Sequence, residues 1–188
     1  MGKQSWKPGN MLYPVPAVMV SSQRRGEKPN IITVAWAGTV CSGPAMLSIS
    51  VRKERYSYEI IRETKEFVVN LVTKELVYAA DYCGVRSGKD VDKFAEMKLT
   101  PQRMEHISAP GIAQSPVNLE CVVKDMISLG THDMFLAEIV GVTADDRYMD
   151  KTGKFHLNAA NLAAYSHGEY YELGNKIGTF GFSVKRKK

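Results

Sequence analysis

Short runs of β-forming residues follow one another along this chain, with turn-forming residues between them. Enrichment in Val and Ile predicts four strands in the first half of the sequence, at Val15–Ser22, Ile31–Ala37, Ala45–Val51 and Phe67–Leu71. The turn signals Arg25–Asn30 and Ser42–Pro44 divide the first three of these runs. This succession of strands is the main constraint on the fold.

A long antiparallel hairpin is predicted in the second half. Val117, Leu119, Cys121 and Val123 alternate with Asn118, Glu120 and Lys124, and Phe135, Ala137 and Ile139 alternate after the turn Gly130–Asp133. Helices are predicted only at Tyr58–Thr64 and Lys74–Tyr82. Many strands, few helices and no repeated βαβ unit predict a mainly β protein, a barrel or sandwich with peripheral helices.

The length of 188 residues fits a single domain, residues 1–188, and 44% hydrophobic with 24% charged residues is an ordinary globular composition. No apolar run approaches the roughly 20 residues of a membrane helix, and the first ten residues lack a signal-peptide apolar segment. We therefore expect a soluble cytoplasmic protein without membrane association. Cys41, Cys83 and Cys121 lack disulfide or zinc-ribbon spacing and are expected to be buried thiols.

Positive charge is concentrated at the two ends of the chain. The net charge of the whole chain is +5. Residues 1–55 hold eight Lys/Arg and two Asp/Glu, and Lys185–Lys188 are four further cations. A nucleic-acid surface is one interpretation, but the tail lacks interleaved aromatic residues and Arg24–Glu27 resembles a hairpin tip. We favour the interpretation that the turn is solvated and that residues 183–188 form a mobile tail, and we expect no nucleic-acid partner.

Sequence motifs for common enzyme chemistries are absent. There is no G-x-G-x-x-G, and Gly84–Asp90 is one residue short of the Walker spacing. Its Lys89 either lies near an anion or belongs to a mobile basic turn. The four histidines are scattered, so no metal site is predicted, and no G-x-S-x-G elbow is present. A bound organic cofactor is the remaining source of reactivity.

Residues 30–57 have the composition of a binding site for a flat aromatic ligand that carries a phosphate. Asn30–Trp36 can offer backbone N–H and C=O groups to the edge of a ring. Ser50, Arg52, Arg55 and Ser57 precede or begin a helix, and arginine side chains with helix N-terminal amides bind oxyanions. Ser57 is expected at the helix N-cap, with Glu54 and Glu59 directed to solvent.

Several dispersed segments agree in order with one family. The chain resembles the flavin reductase-like, FMN-binding split-barrel family, and within it the flavoredoxins. The segments that carry the resemblance are Leu12–Pro16, Asn30–Trp36, Ser50–Arg52, Arg55–Ser57, Phe67–Leu71, Ser87–Gly88, Asp92–Phe94, Leu119–Cys121, Gly130–His132 and Gly178–Phe182. The resemblance covers nearly the whole chain. It implies a Greek-key antiparallel split barrel, a homodimer and FMN bound near the subunit interface.

The resemblance also assigns roles to individual residues. Asn30, Thr33, Val34 and Ala35 match positions that hydrogen-bond the isoalloxazine edge, and Trp36 matches an aromatic near the flavin, with core packing as the competing interpretation. Ser50, Arg52, Arg55 and Ser57 are the candidates for the ribityl phosphate. The remaining cofactor-binding candidates are Lys89, Lys93, Phe94, His132 and Tyr165. Trp36, Lys93 and His132 are the candidates for tuning the flavin.

The function implied is that of an oxidoreductase that moves reducing equivalents from a donor, NADH or NADPH, through FMN to an acceptor. No residue is assigned covalent catalysis. An electron carrier without its own nicotinamide activity, working with a redox partner protein, is the alternative, and a basic nucleic-acid-binding barrel is a third hypothesis.

Overall fold

The computed structural model describes residues 2–184 of the chain. Part of the tail expected to be mobile, residues 185–188, lies outside the described residues. Residues 2–184 form twelve strands: β1 Val15–Pro16, β2 Val18–Ser22, β3 Asn30–Val34, β4 Ala37–Ser42, β5 Ala45–Arg52, β6 Glu66–Leu71, β7 Pro101–Gln102, β8 Gly111–Ile112, β9 Val117–Leu129, β10 His132–Ala144, β11 Ala163–Ser166 and β12 Glu169–Glu172. The α-helices are α1 Tyr56–Thr64, α2 Val77–Val85 and α3 Lys93–Glu96.

Seven strands form one antiparallel sheet in the order β3-β2-β6-β9-β10-β5-β4. β3 and β4 are its two edges, yet only Ala35 and Trp36 connect them. A flat sheet of this size would be roughly 29 Å wide, whereas so short a connection spans at most about 11 Å. The sheet must therefore curl until its edges approach. The Ser50 amide donates to the Trp36 carbonyl at 2.8 Å, which extends the β4–β5 pairing into this connection.

The interior of the curled sheet is an apolar core with contributions from the main strands and from α1. Its largest fully buried side chains include Phe67, Phe135 and Ile49. A second cluster lies on the other face of β2 and β3, where α2 packs Ala80 and Cys83 against them. Both faces of these strands are thus covered, which explains why every residue of β2 is buried. Helix α2 is a support of the sheet.

The β9–β10 hairpin is confirmed, with Gly130 at a φ of +75° in its turn. Two polar residues of its alternating pattern, Asn118 and Glu120, are buried because the segment 104–112 covers their face of β9, whereas Lys124 is exposed. Asn118 and Glu120 are each 2% exposed. Glu120 accepts the His106 amide at 2.7 Å, and Asn118 donates to the Ile112 carbonyl at 3.1 Å.

Other boundaries differ from the sequence prediction for physical reasons. The predicted strand Ile31–Ala37 ends at Val34, and the separate strand β4 was not predicted because most of its residues are exposed and it has no apolar face. Helix α1 begins two residues earlier than expected. Cys83 and Cys121 are buried as expected, but Cys41 on the edge strand β4 is only half-buried.

A search for membrane-crossing helices over residues 2–184 finds none of sufficient length and hydropathy.

The side chain of Asn70 on β6 forms hydrogen bonds with several neighbouring strands. Its Oδ1 accepts from the Ile112 amide at 2.8 Å and from Asn118 at 2.7 Å, and its Nδ2 donates to the Met19 carbonyl at 2.9 Å. The Asn70 side chain is fully buried. It therefore links β2, β6, β8 and β9.

Asn70→Ala should lower the free energy of unfolding by about 3 kcal/mol, because it leaves buried donors and acceptors without partners. Urea denaturation measures this change. Asn158→Ala, at an exposed position, is the matched control and should change stability by less than about 0.5 kcal/mol. A comparable loss in both variants would contradict the assigned role of Asn70.

Candidate functional site

Three strand ends meet where the sheet edges approach. The end of β3, the end of β5 and the start of β10 enclose a cavity of about 190 Å³, here called the strand-end cavity. Residues 32–36, residues 50–52, Arg55 and His132 line it. Arg52 and His132 are paired across β5 and β10, which places both at its rim. Because β3 is an edge strand, its outer N–H and C=O groups are not used by a neighbouring strand.

A second space, the cationic pocket, adjoins the first through Ile32 and Arg55. It has a volume of about 210 Å³. Three cations reach it, Arg55, Arg86 and Lys93, together with the polar residues Asn30, Ser57 and Ser87 and with Glu54. Three cations and one carboxylate make it suitable for an oxyanion.

Lys93 is the buried cation of this pocket, with 3% of its surface exposed. Its ammonium donates to the Ile31 carbonyl at 2.6 Å and to the Cys83 carbonyl at 2.8 Å. An ammonium has three N–H donors, so one remains for a bound group. Burial, with a smaller effect from Arg55, lowers the pKa of Lys93 to about 8. The side chain therefore remains mostly protonated at pH 7.

Ser57 is the second residue of α1, not its N-cap as the sequence suggested. The N-cap position is occupied by Arg55, whose side chain makes no capping bond. The Ser57 hydroxyl is buried and accepts a hydrogen bond from Asn30 Nδ2 at 2.7 Å. Its own proton is free to point elsewhere, so the Asn30–Ser57 pair can donate to a group in the cationic pocket.

Arg86 was not singled out from the sequence, and Ser87 contributed to the family resemblance without being assigned a site role. They belong to the loop that follows α2, in which only Lys89 had been chosen, and Lys89 lines a separate cavity of about 310 Å³ with Lys28 and Asp92. Gly88 holds this loop in place. A Cβ there would lie 2.0 Å from Asn30 Oδ1, so only glycine permits this approach. The loop therefore closes one side of the cationic pocket.

A larger space, the outer cleft, opens from the strand-end cavity. It has a volume of about 750 Å³ and shares Trp36, Ser50, Arg52 and His132 with that cavity. Its other wall is formed by residues 9–12, Leu129 and Thr131. Burial, followed by the charge of Arg52, lowers the pKa of His132. The imidazole is therefore mostly neutral at pH 7.

The structure brings most of the predicted residues together. Asn30, Thr33, Val34, Ala35, Trp36, Ser50, Arg52, Arg55, Ser57, Lys93 and His132 all line one of these three connected spaces. The Thr33 hydroxyl donates to the Ala80 carbonyl and so also fixes β3 to α2.

Three predicted residues do not line these spaces: Lys89, which lines the cavity with Lys28 and Asp92, and Phe94 and Tyr165. Phe94 is buried in the apolar cluster beneath α2 and lines none of the three spaces. Tyr165 lies on β11 and also lines none of them, but its ring is 6.2 Å from that of Tyr13, which is 6.2 Å from Trp36. These aromatic contacts connect Tyr165 to the site through Tyr13.

Glu54 and Glu59 were expected to point to solvent. Glu59 is half-buried and lines none of the three spaces, whereas Glu54 lines the cationic pocket. The Glu54 side chain is 64% exposed and its carboxylate contacts Arg52 at 3.3 Å. Glu59 pairs with Arg62 at 2.6 Å. The pKa of the Glu54 carboxyl is lowered by a hydrogen bond from the Glu54 backbone amide and by the nearby Arg52. Arg52 is therefore partly neutralised, whereas Arg55 and Arg86 make no such ion pair within residues 2–184.

A cavity edged by strand backbone that leads into a cationic pocket suits a planar ligand that carries a phosphate. The family model for the flavin reductase like domain matches residues 10–174. The chain therefore belongs to the flavin reductase-like family.

Solved structures agree with this family. Flavoredoxin of Desulfovibrio vulgaris (Miyazaki F) is 32% identical, with a TM-score of 0.90 over 98% of this chain and 100% of that one. Flavoredoxin from Methanosarcina acetivorans is 27% identical, with a TM-score of 0.86 and the same coverage. An NADH:FAD oxidoreductase of Streptomyces globisporus is 21% identical and shares the fold, with a TM-score of 0.72 over 87% of this chain and 88% of that one.

Proposed function

We propose that this protein binds FMN and transfers reducing equivalents from NADH or NADPH, through the flavin, to an acceptor. The observation that carries the proposal is the junction of the strand-end cavity with the cationic pocket at Arg55. One space suits a flat ring with hydrogen-bonding edges, and the adjoining space suits its phosphate. The flavoredoxin-like structure supports the same ligand.

The phosphate is assigned to the cationic pocket. Arg55 and Arg86 can present paired N–H donors to it, and Lys93 supplies a buried charge. Ser57 and the first amides of α1 add neutral donors. Because the pocket gathers three cations in about 210 Å³, it suits the dianion of a terminal phosphate, which favours FMN over FAD.

The ring is assigned to the strand-end cavity, where Thr33, Val34 and Ala35 would supply backbone partners and Trp36 a packing surface. Bound FMN would supply the electron-accepting chemistry. Arg52 and neutral His132 would stabilise negative charge at the ring. The outer cleft, which shares both side chains, is the proposed place for the nicotinamide donor, and its volume of about 750 Å³ is large enough for such a ligand.

A homodimer and a cytoplasmic location are part of the same proposal. Leu12 and Leu129 at the outer cleft and Ile177 and Phe180 near the C-terminus are large exposed apolar side chains. A second copy of the chain would cover such residues. Mass measurement by light scattering tests the dimer.

Anaerobic mixing with nicotinamides tests the activity. The flavin-loaded protein should lose its yellow absorbance with NADH or NADPH alone, because donor and flavin would share one continuous site. Bleaching only when a second redox protein is added would favour the alternative, an electron carrier. A purified protein that takes up no flavin would overturn both.

Arg55→Gln should weaken FMN binding by about 10- to 100-fold, because it removes a charge-assisted contact to the phosphate. Riboflavin, which lacks the phosphate, should bind both proteins with similar affinity. Fluorescence titration gives both dissociation constants. Arg62→Gln is the control on the same helix, since Arg62 pairs with Glu59 and lines none of the three spaces. Equal losses for FMN and riboflavin would remove the phosphate assignment.

The affinity for FMN should fall as the pH rises above 8. A bound phosphate raises the pKa of Lys93 from its free value of about 8, so binding takes up a proton above that pH. Affinity should therefore decrease by about tenfold between pH 7 and pH 9. Titrations over this range measure the change. Riboflavin controls for ionisation of the ring, and Lys93→Met should give a pH-independent ratio of FMN to riboflavin affinity.

A further inference from the structure

Asp133 is a buried carboxylate that the proposed function does not use. It follows His132 on β10 and lies opposite Val51 of β5, so its position is at the barrel end that carries the site. Only 3% of its surface is exposed. A carboxylate at such a position needs several donors to offset the loss of hydration.

Three elements supply these donors. The Tyr58 hydroxyl of α1 donates to Asp133 Oδ2 at 2.6 Å. The Ser128 hydroxyl of β9 donates to Oδ1 at 2.9 Å, and the Lys53 ammonium lies 3.2 Å from the same oxygen. Asp133 therefore joins β9, β10, α1 and the turn between β5 and α1.

Two of these elements, the turn and α1, carry Arg55 and Ser57 of the proposed phosphate site. Lys53 lies between Arg52 and Arg55 in the turn, and the Arg55 amide donates to the Arg52 carbonyl at 3.1 Å. Tyr58 follows Ser57, and its amide donates to the Arg55 carbonyl at 2.9 Å. The Tyr58 ring also packs edge-on against Phe135 at 5.7 Å. Asp133 thus holds this segment from both sides of Arg55.

We infer that Asp133, acting through Tyr58 and Lys53, is a positioning residue that fixes Arg55 and Ser57 for the phosphate of the flavin. The inference rests on the proposed function. Lys53 itself lines none of the three spaces, so its contact with Asp133 serves the turn and not the ligand. The hydrogen bond with Tyr58 lowers the pKa of Asp133, so the carboxylate is ionised at neutral pH.

The ratio of FMN to riboflavin affinity tests this role, because loss of general stability would affect both ligands alike. Tyr58→Phe removes one hydroxyl and keeps the ring on Phe135. It should weaken FMN binding by about fivefold and leave riboflavin binding within about twofold. Lys53→Met, at a half-exposed side chain, should change the ratio in the same direction. Tyr171→Phe is the matched control, since Tyr171 donates to Glu169 on the exposed β12.

The outcomes separate the inference from the proposed function. If wild-type protein prefers FMN and the ratio is unchanged in Tyr58→Phe and Lys53→Met, the positioning role is wrong while the phosphate site stands. If these variants unfold at a lower temperature but keep the wild-type ratio of FMN to riboflavin affinity, the positioning role is also wrong, because Asp133 would then contribute to stability alone. If wild-type protein shows no preference for FMN over riboflavin, the phosphate site itself is overturned, and the inference with it.

Discussion

The site depends on the two-residue connection between the edges of the main sheet. Because only Ala35 and Trp36 separate β3 from β4, the sheet cannot remain open, and its curling brings the ends of β3, β5 and β10 together. The same connection lines the strand-end cavity. Closure of the barrel and formation of the site are therefore one structural event, and the hydrogen bond between Ser50 and Trp36 fixes the connection to β5.

The cationic side chains around this junction face different surroundings. Arg55, Arg86 and Lys93 face the cationic pocket, whereas Arg52 contacts Glu54 and lines the spaces assigned to the ring and the donor. Lys53 is directed to Asp133. Under the proposed function, neighbouring cations in one short turn would contact the ligand phosphate and the ring, while Lys53 contacts the protein itself. The resemblance alone had assigned Arg52 and Arg55 the same role.

Much of the fold was predictable because its strands are rich in Val and Ile and are buried. Strand β4 was not, since its exposed residues leave no alternating pattern. The burial of Lys93 could not be predicted either, because its partners are backbone carbonyls 62 and 10 residues away in the sequence. Arg86 was not predicted because its loop has an incomplete Walker spacing, which directed attention to Lys89. The folded loop shows that Arg86 lines the cationic pocket and that Lys89 does not.

The two carbonyls bound by Lys93 have a further consequence. One belongs to edge strand β3, and the other is among the last carbonyls of α2, which no residue of the helix itself can satisfy. The lysine thus fastens the helix to the sheet with the same ammonium that faces the pocket. Loss of its proton would weaken this attachment and remove one of the three positive charges of the pocket, so anion binding and helix attachment would be thermodynamically linked.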